Sequence, residues 1–148
     1  MVATWSEAID SVISILEGWN RANSENIKPV ILDIASEGPE RGKRLDLSRS
    51  DYVLVYETAH NEEAPDLFYN YVTTRVNITV DARTSKSRSR IQKMENEIRR
   101  LIHASRKGDA TNFDRMMFKT RTDLSDRSKK LYRNTFQIEV VTLAELIP

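Results

Sequence analysis

The chain contains no cysteine. Disulfide staples, thiol nucleophiles and Cys-ligated zinc are therefore excluded, and the absence is compatible with a soluble protein made and folded in a reducing cytoplasm. The two histidines, His60 and His103, are too few for a three-His metal centre. Only four glycines and four prolines punctuate 148 residues, and no glycine sits in a phosphate-cradling loop or a G-x-S-x-G elbow. No apolar run approaches the length of a membrane span. The opening "MVATWSEAID" lacks the basic start and apolar block of a secretory leader. A charge excess is missing as well: 23 Lys and Arg meet 22 Asp and Glu, a formal +1. Any electrostatic partner must therefore be read from local clusters.

What is present suits one domain, 1–148, with one core. Trp5, Ile9, Val12, Ile13, Leu16 and Trp19 recur at helical spacing and predict an amphipathic helix over 4–20, capped by Thr4 or Ser6. "PVILDIA" predicts a strand at 29–35 and "DYVLVYET" another at 51–58. Between them, "SEGPERGKRLDLSRSD" (36–51) predicts a long exposed loop or protruding hairpin. "AHNEEAPDLF" (59–68) reads as a loop or one helical turn.

The clearest strand is 71–83. Val72, Thr74, Val76, Ile78 and Val80 lie on one side and Thr73, Arg75, Asn77, Thr79 and Asp81 on the other, which fits an antiparallel sheet with one packed face. Thr84 or Ser85 then caps a long helix, about 85–106. Two more strands follow at 113–125 and 130–146. In the latter, Tyr132, Phe136, Ile138 and Val140 oppose Arg133, Thr135, Gln137 and Glu139. The expected class is α+β: a mixed, mainly antiparallel sheet of about four to five strands, packed by an N-terminal helix and a long central helix. The crossover 71–123 would be right-handed if its strands are parallel.

On the central helix, Ile91, Met94, Ile98, Leu101 and Ile102 form one stripe for packing on the sheet. The opposite side carries Lys86, Arg90, Lys93, Glu97, Arg100 and Lys107. It reads as a solvated back, with a phosphate-contacting face and a subunit interface as the alternatives. Glu95 and Glu97 are placed to pair with Arg99 and Arg100.

No pattern names a reaction. His60 with Glu62, Glu63 and Asp66 reads as a solvated acidic loop, without the ligand spacing of a divalent-cation site. His103 reads as a packed or surface histidine. Asp51 and Glu57 flank a strand, but "TAH" follows Glu57 where a metal-dependent nuclease would need a lysine. Catalytic, cofactor and metal residues are therefore expected to be none. The segment "KTRTDLSDRSKKLYR" (119–133) is the most distinctive. Asp123 and Ser125 suit turn positions, and Lys119, Arg121, Arg127, Lys129, Lys130 and Arg133 crowd around them. It is either a charged connection between strands or a basic contact surface for nucleic acid or an acidic partner.

Two stretches in this order carry a resemblance: Ile78, Val80, Arg83 and Thr84 at a strand end, and Asp123 to Ser128 with Leu131 to Arg133 before the last strand. Over roughly 70–145, with a weaker match of the first helix, the chain resembles the tail-terminator or tail-completion (neck) proteins of long-tailed phages and archaeal tailed viruses. The resemblance implies a homohexameric ring that caps the tail tube, ends its polymerisation and joins tail to head. The implied partners are further copies of the chain, the tail tube protein and a head-completion protein. DNA would meet the ring only in passing through it, and no membrane or cofactor is implied. The implied location is the virion, after assembly in the host cytoplasm. Within this expectation, Arg121, Asp123, Asp126, Arg127 and Arg133 are the candidate subunit-contact residues. A nucleic-acid-binding α+β module using its basic surface is the alternative.

Overall fold

Alternation of apolar and polar residues sets the middle of the sheet. The computed structural model describes residues 8–19, 28–33, 47, 49–63, 71–107 and 113–145. Its elements in chain order are α1 (Ala8–Leu16), β1 (Val30–Asp33), β2 (Tyr52–Glu63), β3 (Tyr71–Thr84), α2 (Arg88–Ala104), β4 (Arg115–Asp123) and β5 (Tyr132–Glu145). The five strands form one sheet in the order β1-β2-β3-β5-β4. β1 runs parallel to β2, and every other pairing is antiparallel. The fold is the expected α+β arrangement. β3 and β4 run in the same direction with β5 between them, so α2 is a crossover rather than a hairpin connection. No described helix is long and apolar enough to cross a membrane.

Both helices pack on one face. Val12 and Leu16 of α1 join Ile91, Met94, Ile98, Leu101 and Ile102 of α2 in a single core. Beneath them lie Val53 and Val55 of β2, Val76, Ile78, Val80 and Ala82 of β3, and Phe136, Ile138 and Val140 of β5. Each such side chain contributes about 1.5–3 kcal/mol of gross burial energy before chain entropy is subtracted.

Several boundaries differ from expectation. The central helix is capped by Ser87, whose side chain accepts from the Arg90 amide. Thr84 stays at the end of β3, its hydroxyl donating to buried Asp51 at 2.6 Å and accepting from the Lys86 amide at 3.2 Å, one turn short of the cap. Arg90 is also withdrawn from the back of the helix, with Nε 2.6 Å from the other Asp51 oxygen. Glu97 is a further correction: it is buried, with Arg100 folded over it through two nitrogens. The buried arc of α2 is thus wider than its apolar stripe, and carboxylates with their arginines fill the flanks.

β2 does not stop at residue 58, as expected, but runs to Glu63. The apolar half, where β1 pairs, covers Tyr52–Val55; beyond it β2 is an edge strand and tolerates polar residues. Its ladder with β3 continues from Ala59↔Asn77 to Glu63↔Thr73. Of the expected loop 36–51, only Leu47 and residues 49–51 are described, and Asp66 lies outside the described residues.

Two bulges bracket one row of the sheet. Glu57, Ile78, Ile138 and Phe118 lie side by side across β2, β3, β5 and β4. The β2 bulge at Thr58 follows this row on one side, and the β4 bulge at Lys119 follows it on the other. The strands also outrun their cover. β3 is 14 residues long, about 46 Å at a strand's rise, whereas α2 has 17 residues, about 25 Å.

Candidate functional site

The hairpin between β4 and β5 brings Arg121, Asp123, Asp126, Arg127 and Arg133 to one end of the sheet; the Arg127 side chain lies outside the described residues, and the other four have different tasks. The backbone closes first. Leu124 donates to the Arg133 carbonyl, and Asp126 and Leu131 exchange amide–carbonyl bonds at 2.8 and 2.9 Å. A single 3-10 turn, Arg127–Lys129, forms the tip.

Asp123 and Asp126 are spent locally. The Ser125 amide donates to Asp123 Oδ1 at 2.9 Å. The Ser128 hydroxyl and amide donate to Asp126 Oδ1 at 2.7 and 3.1 Å. These bonds favour the charged forms. Ser125, then nearby Arg121 and Arg88, hold the Asp123 carboxyl below its ordinary value. Ser128 does the same to Asp126, with the Lys129 amide and charge adding to it. A depressed carboxylate pKa contributes stability above the unfolded-state pKa and loses it as pH falls through the folded value. The hairpin should therefore loosen only on acidification below the ordinary carboxylate range. By NMR titration, Ser128→Ala should return Asp126 toward its ordinary midpoint and leave Asp123 in place. Equal movement of both would show that overall charge, and not these bonds, sets the values.

Lys130 closes the turn in the left-handed region, φ 53°. A side chain there costs about 1–2 kcal/mol, partly offset by the greater freedom that glycine loses on folding. Lys130→Gly should thus raise stability by roughly 0.5–1 kcal/mol, read as a shift of the denaturant midpoint at constant slope. A destabilised variant would mean that the lysine side chain holds the turn.

Arg121 and Arg133 reach away from the hairpin. The Lys119 bulge turns Arg121 onto the helix side, where its Nε lies 2.7 Å from Glu95 Oε1. Arg99 meets the same oxygen at 3.2 Å and stacks over the Phe118 ring, 4.9 Å from its centre. The buried Asn134 amide donates to Glu95 Oε2 at 3.3 Å in one orientation. Turned over, it accepts from Arg121 at 3.2 Å and donates to the Arg133 carbonyl at 3.1 Å, which satisfies more groups. A shallow cleft separates the first turns of α2 (Arg88, Ile91, Gln92) from this hairpin (Arg121, Asp123, Tyr132).

Arg133 takes the opposite face. Its Nε and Nη2 reach Asp81 at 3.1 and 2.9 Å. Arg83 reaches Asp81 Oδ2 through Nη2 at 2.8 Å. Arg83 and Arg133 are direct cross-strand partners, and Asp81 lies two residues back on β3. Asp81 is 0% exposed, and the two arginine side chains are 24% and 27% exposed. The second face is thus not a bare solvent face: Leu54, Thr79 and Asp81 are buried there. Asp81, Arg83, Glu95 and Asn134 were not among the expected site residues. The period-two spacing of Asp81 and Arg83 hinted at their pairing, but the register that adds Arg133 could not be read from one strand.

The far end of the same face carries a second chain of charges. Glu63, Arg75, Glu139 and Lys119 alternate across β2, β3, β5 and β4 at 3.8, 3.1 and 3.8 Å. Behind it, His60 lies between Glu57 (3.3 Å) and Glu62 (3.4 Å) on exposed β2. His103, exposed near the end of α2, lies against the Phe118 ring. Among the described residues, no three His, Asp or Glu side chains converge to hold a metal ion. Asp51 is enclosed by Thr84 and Arg90. No protein-family model and no curated protein matches the chain.

Proposed function

We propose that the chain is a structural subunit of a viral tail or neck, forming a ring that caps the tail tube, ends its growth and offers a docking surface to the head. The observation that best supports this reading is the division of charge along one long sheet. Acidic residues are exposed on the outrunning half of β2, and an arginine-rich end lies at the β4–β5 hairpin. A surface whose two ends complement each other suits a heterologous contact, and such a contact repeated by rotation closes a ring. The sequence resemblance over 70–145 points the same way. In this reading Arg121 and Asp123 line the edge of the contact, Asp126 and Arg127 hold the hairpin tip, and Arg133 faces the neighbouring copy. The partners are further copies of the chain, the tail tube and a head-completion protein, with no cofactor.

Mass measurement of the purified chain, alone and mixed with isolated tail tubes, tests the reading. The expected result is a closed oligomer of fixed size, at least on tubes. A chain that stays monomeric on tubes would sink it. The second reading, a nucleic-acid-binding module, draws on exposed Arg88, Lys129 and Lys130 near the same end. It requires DNA or RNA affinity that rises steeply as salt is lowered.

A further inference from the structure

The arginine pair on β3 and β5 is electrostatically incomplete. Arg83 and Arg133 bring two positive charges and Asp81 one negative, a surplus of +1. Like charges directly opposite on neighbouring strands repel, and one carboxylate cannot fully neutralise two guanidiniums. Among the described residues, no second carboxylate approaches either arginine. Both side chains keep about a quarter of their surface exposed, so a group from outside can reach them.

The complementary surplus lies elsewhere on the same sheet. Glu57 and Glu62 flank His60 alone, two carboxylates against one imidazole, so this group is net negative in either protonation state of the ring. Glu62 is 57% exposed. The four charges beside them, Glu63, Arg75, Glu139 and Lys119, cancel among themselves. Glu62 pairs with Thr74 in register, nine positions along β3 from Arg83. That is about 30 Å along a strand. The acidic and basic sites therefore cannot meet within one molecule.

We infer that the Asp81–Arg83–Arg133 site receives a glutamate, Glu62 or Glu57, from the exposed β2 of a second copy. The inference rests on the ring reading above and specifies its contact. The neighbour's carboxylate supplies the second negative charge, and the arginine pair in turn neutralises the neighbour's acidic strand. Charge of this kind fixes register and partner choice, and its exposed part weakens with salt.

The cysteine-free chain allows a direct test. Asn61→Cys marks exposed β2 beside Glu62. Thr122→Cys marks the other end, because Thr122 is exposed and lies in the row of Thr135 and Asp81. Neither change removes a charged group. The two single variants are mixed and treated with a short bis-maleimide, while mass is measured in parallel. The expected product is the mixed Asn61–Thr122 adduct, with little of either like-with-like adduct. Adding Arg83→Gln or Glu62→Lys should lower self-association about tenfold or more, and Glu62→Lys, on an exposed side chain, should do so without moving the unfolding temperature. The Glu62→Lys arm remains decisive if Arg83→Gln fails to fold.

A closed oligomer with no mixed adduct, or with an adduct indifferent to both variants, overturns this contact and leaves the ring intact. Absence of any oligomer, with tubes or without, overturns the ring and the contact together. If Arg83→Gln leaves the adduct unchanged but weakens binding to duplex DNA, the arginine pair serves a phosphate, and the inference fails.

Discussion

Asp81→Asn will lower the unfolding free energy by about 3 kcal/mol, near the lower bound for breaking a buried ion pair. The carboxylate is fully buried, and both arginines turn on it. Asparagine keeps the volume but removes the negative charge, leaving two guanidiniums opposed across β3 and β5. The loss falls at the lower end because both arginines have a path to water. The double variant Asp81→Asn/Arg83→Gln should recover part of the loss, since it removes one of the two repelling charges. Urea unfolding checks both, with the midpoint falling at unchanged slope. A loss below about 1 kcal/mol would place the triad among ordinary surface pairs. A double variant no better than the single would show that repulsion is not what Asp81 relieves.

Phe136→Ala should cost about 3–5 kcal/mol, the range for deleting a buried aromatic ring from a packed core. Phe136 is fully buried in β5, between Val80 of β3 and Arg121 of β4. Its ring lies 5.3 Å from that of Phe118, which in turn carries Arg99. The deletion therefore leaves a void under α2 and loosens the support of the Glu95 cluster. Phe136→Leu, with a smaller change in volume, should retain most of the stability. If alanine and leucine cost the same, the cavity is not the cause. Loss of the aromatic pair, worth about 0.5–1.5 kcal/mol, would then be the larger share.

Sequence pattern reveals the sheet well and the charge network poorly, for physical reasons. Burial on one side imposes a period of two on β3 and β5, so Val76, Ile78, Val80, Phe136 and Ile138 announce their own face. The same holds for Ile91, Met94, Ile98, Leu101 and Ile102 at helical period. Charged side chains obey a weaker rule. Glu95 and Glu97 sit outside the apolar stripe, yet both are buried, because arginines folded over them replace water. The pairings with Arg99 and Arg100 were legible from helix spacing, whereas those with Arg121 and Asn134 depend on how β4 and β5 lie beneath the helix. The strand at 59–63 was hidden for a different reason. Its polar residues read as loop, and only the β3 ladder holds them extended. At the turn, Asp123 and Ser125 could be recognised as hairpin chemistry. That Arg121 and Arg133 point to opposite faces follows from the Lys119 bulge, which leaves no mark in residue type.

The two bulges on either side of the Glu57–Ile78–Ile138–Phe118 row have a geometric consequence at a larger scale. Each inserted residue bends its strand and adds right-handed twist, so the ends of the sheet beyond that row are turned relative to each other. Straight bricks laid end to end build a rod; wedges build an arch. If successive copies join acidic end to arginine end, the angle stored at Thr58 and Lys119 sets how far each copy swings from the last, and hence how many complete the circle. Thr58 is the extra residue in β2, so deleting it would restore an even ladder without changing which way Glu57, His60 and Glu62 point. The joint would survive and the arc would open, altering the circumference while leaving the glue unchanged.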